Sequence, residues 1–190
     1  MNTPAHLLFG LSAFGRPESR RVTAAALIGS LLPDLSLYLL SIWHLWILGT
    51  PADVVFGELY YSERWQAIFR VDNSFVIWGV LLAIAVMARA PAAIALSGAA
   101  LLHLMLDFPL HNDDARSHFW PVTNWKFISP VSYWDTSHHG GVMSVIETVA
   151  VVTLSIWLWR RFTGRWMRGL VGALALMQLA PLVVWVIVFA

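Results

Sequence analysis

Apolar segments follow one another through this chain with almost no room between them for a water-facing surface. A bilayer core about 30 Å thick takes roughly 20 apolar residues as a helix. The segments 22–48, 73–106, 142–159 and 168–190 meet or approach that length. The 73–106 stretch is too long for one crossing, and Arg89-Ala90-Pro91 interrupts it. Proline turns the residue before it away from helix, so the stretch divides into 74–88 and 91–106. Residues 3–14 (TPAHLLFGLSAF) are apolar but too short to cross alone, which suits a short helix packed inside the bundle. The expected fold is all-α, a single polytopic membrane bundle over residues 1–190. It has about five transmembrane helices plus a short N-terminal apolar helix.

Composition agrees with this reading. Only 12% of residues are charged, against about 25% in a soluble domain. A net charge of +1 gives no field that would hold nucleic acid. The absence of cysteine removes disulfides, thiolate metal ligands and a cysteine nucleophile. No basic region precedes the first apolar stretch, so the N-terminus does not read as a cleaved signal. Trp43, Trp46, Trp78, Trp157, Trp159 and Trp185 sit near segment ends, where the membrane interface favours an apolar ring with one polar edge.

Positive charge sets an expected orientation. Arg16, Arg20 and Arg21 fall in one connection, Arg89 in a second, and Arg160, Arg161, Arg165 and Arg168 in a third. The positive-inside rule makes these cytoplasmic and turns the two longer connections, 49–72 and 107–141, outward.

Charged groups inside apolar helices are the informative positions, because each costs a few kcal/mol unless partnered. His6 lies in the first apolar stretch, and Asp34 lies in IGSLLPDLSLYLL. His103 and Asp107 stand at i, i+4, on one helix face. At about 1.5 Å per residue from the nearest arginines, His6, Asp34 and His103 reach one level, with Asp107 a turn beyond. Pro33 is expected to break the helix just before Asp34. The outward loop adds His111, Asp113, Asp114, His118, Asp135, His138 and His139, so five of the seven histidines lie between 103 and 139. Imidazole and carboxylate form the ligand set of zinc, and of manganese or iron when sulfur is absent.

Plainer readings stand beside these. His6 can be a satisfied interior histidine, His103 and Asp107 a packing device, and Asp34 a helix N-cap after proline. His138-His139-Gly-Gly can be an interfacial turn, and Tyr60-Tyr61 with residues 64–70 an interfacial anchor or surface helix. The arrival of three segments at one depth favours a metal or proton-handling site.

The segments MNTPAHLLFG, IGSLLPDLS, HLMLDFPLHNDDARSHFWP, SPVSYWD and HHG together resemble the LexA-regulated family of membrane-bound metal-dependent hydrolases of bacterial inner membranes. The resemblance runs to about residue 141. It implies a multi-pass inner-membrane protein with His6, Asp34, His103 and Asp107 as metal ligands. The HxxxD pair also looks distantly similar to that of zinc-dependent phospholipase C.

The expectation is then a hydrolase with a divalent metal, zinc first. It would act through a metal-activated water on an ester or phosphoester of a lipid-like substrate at the periplasmic face. His138 or His139 would complete the ligands from the start of the next span. Asp113, Asp114 and His118 would serve a second metal or general-base duty, and Arg116 and Lys126 would hold a lipid phosphate. Two alternatives remain: a non-enzymatic protein that binds or moves an ion or proton, and a structural or regulatory partner. The inner halves of the helices offer few polar groups for a through-path.

Overall fold

A computed structural model describes the backbone of residues 1–189 and the side chains of residues 1–180. Helix α1 (Thr3–Phe14) carries Pro4 in its first turn, where the missing N–H has no intrahelical partner to lose. Ser19 caps α2 (Arg20–Ile42) by accepting from the Val22 amide. Wider turns at Trp43–Ile47 prolong α2, and a single turn α3 (Ala52–Val54) follows. Ser62 caps α4 (Glu63–Asp72) and Ser74 caps α5 (Phe75–Met87), each accepting from the amide three residues on. Pro91 opens α6 (Pro91–Asp107). After a long loop come α7 (Gly140–Arg161) and α8 (Arg165–Phe189). No strand forms among the described residues.

Among the described residues, four stretches are long and apolar enough to cross a membrane: Arg20–Ile47, Glu63–Met87, Pro91–Leu110 and Gly140–Arg161. Five were expected; one of the four begins earlier than expected, and the fifth is not among them. α5 alone has 13 residues, about 20 Å, which falls short of the bilayer. Its crossing therefore begins in α4, which the sequence placed at the interface. The fifth expected segment coincides with α8, whose final side chains, Trp185 among them, lie outside the described residues.

Burial is inverted relative to a water-soluble domain. Large apolar side chains face outward, including Leu39, Ile84, Met87, Met105, Val149 and Ile156. Polar groups lie inside, including His6, Asp34, His103, Asp107, Arg116 and Glu147. Lipid tails solvate the outer faces as well as a core would, so helix contact depends on close backbone approach and internal hydrogen bonds. Small residues supply the approach. At Gly29 an added Cβ would strike the Leu96 carbonyl of α6, and at Gly10 it would strike Ser30.

Two expectations are corrected. α2 runs unbroken through Pro33. The lost bond to the Gly29 carbonyl is tolerated because α2 is wedged against α1 and α6; Asn73 Nδ2 separately donates to the Pro33 carbonyl at 3.0 Å. Asp34 is thus a mid-helix residue, and its carboxyl is free of capping duty. Trp78 is buried, donates to the Asp72 carbonyl at 2.7 Å and packs on Ala100 and Leu104, away from an interface. Trp43, Trp46, Trp157 and Trp159 do stand exposed.

Candidate metal centre

α1, α2 and α6 bring their polar residues to one point. His6 and His103 stack, with ring centroids 3.6 Å apart and planes 11° from parallel. His6 Nε2 donates to Asp107 Oδ1 at 2.9 Å. His103 Nδ1 donates to the Ser30 carbonyl at 2.7 Å, which fixes the tautomer and leaves Nε2 with its lone pair. That Nε2 lies 3.2 Å from Asp107 Oδ2 and 3.6 Å from Asp34 Oδ2. The Met1 nitrogen also contacts Asp107.

The group fits a cation on two grounds. His6 Nδ1 and His103 Nε2 are buried with no hydrogen-bond partner, a state that costs free energy unless something accepts the lone pairs. Spacing is the second ground. Two atoms each about 2.1 Å from a tetrahedral zinc lie about 3.4 Å apart, and the contacts from His103 to the two carboxylates bracket that value. His6, His103 and Asp107 offer ligand atoms all within 4.8 Å of one another. This group could hold a metal ion.

Asp34 borders the group and is the partner of Arg116, whose Nη1 lies 3.4 Å from Asp34 Oδ1. Tyr38 donates to the other Asp34 oxygen at 3.3 Å.

His111 joins the cluster from the loop. Its Nδ1 donates to Asp114 Oδ2 at 2.7 Å, and its Nε2 stands 3.4 Å from Asp107 Oδ2. A carboxylate behind an imidazole in this way orients the ring and raises its basicity. Burial opposes charge on His111, but Asp107 and Asp114 outweigh it and raise its pKa above the ordinary value. Burial likewise pushes Asp114 up, and the bond from His111 together with its charge holds it below the usual carboxylate range. The sequence reading named His111 only as a loop residue. It continues the i, i+4 spacing from His103 through Asp107, a signal that Pro109 obscured.

The remaining loop residues fall elsewhere. Asp113 is exposed and meets only the Tyr61 hydroxyl, at 3.5 Å. His118 is packed between Phe75 and Phe108 and donates to the Asn73 carbonyl at 2.9 Å. Burial lowers its pKa to about 4, with Arg116 and His111 adding to that shift against the bond to Asn73. His138 bonds Asp135 at 2.7 Å on the partly exposed approach to α7, and His139 takes a left-handed backbone there. Neither belongs to the group of ligand atoms that His6, His103 and Asp107 form. Lys126 donates to Gln66 at 3.0 Å and, unlike Arg116, does not line the cavity above the cluster.

Above the cluster lies a cavity of about 320 Å³, lined by Asp34, Asp107, His111, Asp114 and Arg116 and walled by Tyr38, Tyr60, Tyr133 and Trp134. His6 and His103 form the deeper layer, out of contact with it. No protein-family profile, curated protein or solved structure matches the chain.

Proposed function

We propose that the chain is a membrane-embedded, metal-dependent hydrolase that acts on an ester or phosphoester of a lipid-like substrate. The observation that carries the reading is the buried pair of unpartnered imidazole nitrogens beneath an open cavity. A packing device would satisfy both atoms within the protein. A catalytic metal site needs its donors free and one side open to substrate.

His6, His103 and Asp107 would hold the ion, with Asp34 and His111 beside them. Three imidazoles and carboxylates without sulfur suit zinc. When bound, such a cation supplies a nucleophile from water near neutral pH and polarises the substrate oxygen. Asp114 orients His111, whose Nε2 faces the cavity floor and can take or return a proton. Arg116, paired with Asp34, supplies a guanidinium suited to an anionic phosphoester oxygen. The aromatic walls suit the apolar part of a lipid headgroup region. The positive-inside rule, applied to the arginines at the opposite helix ends, supports a cavity on the outer, periplasmic side of a bacterial inner membrane.

Metal analysis of purified protein comes first: tightly bound zinc near one per chain is expected. Turnover of short-chain phosphoester and carboxyl-ester lipids by wild type, His103→Ala and Asp107→Ala follows. Equal turnover by all three proteins would sink the hydrolase.

A further inference from the structure

Helix α1 carries His6, and its first residue Thr3, with Met1 and Asn2 just before it, forms one lip of the cavity. Its 12 residues span about 18 Å, well short of the bilayer core, so hydrophobic matching does not set its depth. Something in the protein has to do so, because a slip of one residue would turn His6 about 100° away from Asp107.

α7 supplies two holds at matching separation. Near one end of α1, the buried Glu147 Oε1 accepts from the Asn2 amide at 2.9 Å, from Asn2 Nδ2 at 2.9 Å and from Gln178 Nε2 of α8 at 2.8 Å. At the other end, Arg161 donates to the Ser12 carbonyl at 2.7 Å and the Gly15 carbonyl at 2.6 Å. Glu147 and Arg161 are separated by about 21 Å along α7, against about 20 Å between Asn2 and Gly15. Glu147 is the only acid in α7 or α8, and a carboxyl group inside a membrane helix is retained at a cost. Beyond Asn2 the contacts run on into the site: Thr3 Oγ1 meets the Tyr38 hydroxyl, and Tyr38 donates to Asp34.

We infer that Glu147 is a positioning residue for the cluster, holding Asn2 so that α1 presents His6 to His103 and Asp107. The metal reading supplies a second readout only. The hold consists of hydrogen bonds within the protein, and its test does not need turnover.

The experiment is carbethoxylation of His6 by diethyl pyrocarbonate in chelator-treated full-length protein, followed by peptide mass. His6 is 1% exposed, so wild type should react slowly. Glu147→Leu should speed His6 modification about tenfold or more, the least factor expected from losing both buried bonds that hold Asn2. Glu147→Gln, which keeps Oε1 as an acceptor, should restore most of the protection. Arg161→Met frees the end of α1 remote from His6, so it should lower thermal stability with a much smaller change at His6. Zinc affinity should fall in the same order across the three variants. If Glu147→Leu does not fold, Asn2→Ala removes one donor without altering α7 and should speed modification measurably. The inference is overturned if His6 stays as protected as in wild type, or if Arg161→Met exposes it equally. Absence of zinc binding in wild type would refute the hydrolase proposal while leaving the protection result to decide this one.

Discussion

Asp107→Asn is the sharpest perturbation, because it keeps the shape of the side chain and removes its charge. Asp107 is the one carboxylate in reach of all three imidazoles, with contacts of 2.9, 3.2 and 3.4 Å to His6, His103 and His111. Losing a residue that merely orients a metal ligand costs about 10–100-fold in affinity, so a shared ligand should cost about 100-fold or more. At a zinc concentration about 100 times the wild-type Kd, binding stabilises the fold by about 2.7 kcal/mol. For the variant the same zinc stands near its Kd, and the gain drops to about 0.4 kcal/mol. At about 2–4 °C per kcal/mol for a chain of this size, wild type should gain about 5–11 °C on zinc addition and Asp107→Asn about 1 °C. Thermal unfolding in detergent, with and without zinc after chelation, reads both numbers. An equal zinc-induced shift in the two proteins would refute the placement of the metal on Asp107.

Arg116→Gln leaves Asp34 buried without its cation and should cost about 3 kcal/mol in thermal unfolding. The double variant Asp34→Asn/Arg116→Gln should recover part of that loss. Gly29→Ala should destabilise by about 1–3 kcal/mol, because the new methyl meets the Leu96 backbone. Gly79→Ala, with open space around it, should be neutral or slightly stabilising. His118 takes up a proton near 6.5 in the unfolded chain but only near 4 when folded. Its contribution is therefore complete above pH 6.5, falls as pH drops towards 4, and amounts to at most about 3 kcal/mol. His118→Phe should remove that component from the pH profile of stability, and an unchanged profile would contradict the burial argument.

Four ligand candidates were legible before any fold, because charged groups inside apolar helices are costly and their depth can be counted from flanking arginines. His6, Asp34, His103 and Asp107 do meet in space. The loop residues were not legible in the same way. Pro109 hid the continuation of the i, i+4 spacing to His111, and the expected duty fell on His118 instead. One turns towards Asp107 and the other into a cage of Phe75 and Phe108. Arg116 was expected to hold a lipid phosphate beside Lys126, and its burial as the partner of Asp34 was not legible. Glu147 drew no notice as a single acid in an apolar helix, since its role depends on Asn2 lying beside it.

Hydropathy alone determines that this chain makes helices for a bilayer, because lipid leaves each backbone amide to be satisfied within its own segment. It also marks the positions whose polarity needs a reason. Tertiary structure decides which of those polar groups become partners. That choice turns on helix rotation, on close approach at residues such as Gly29, and on the register of a helix too short for the membrane to place. These are relations between segments far apart in the chain, and no local pattern records them.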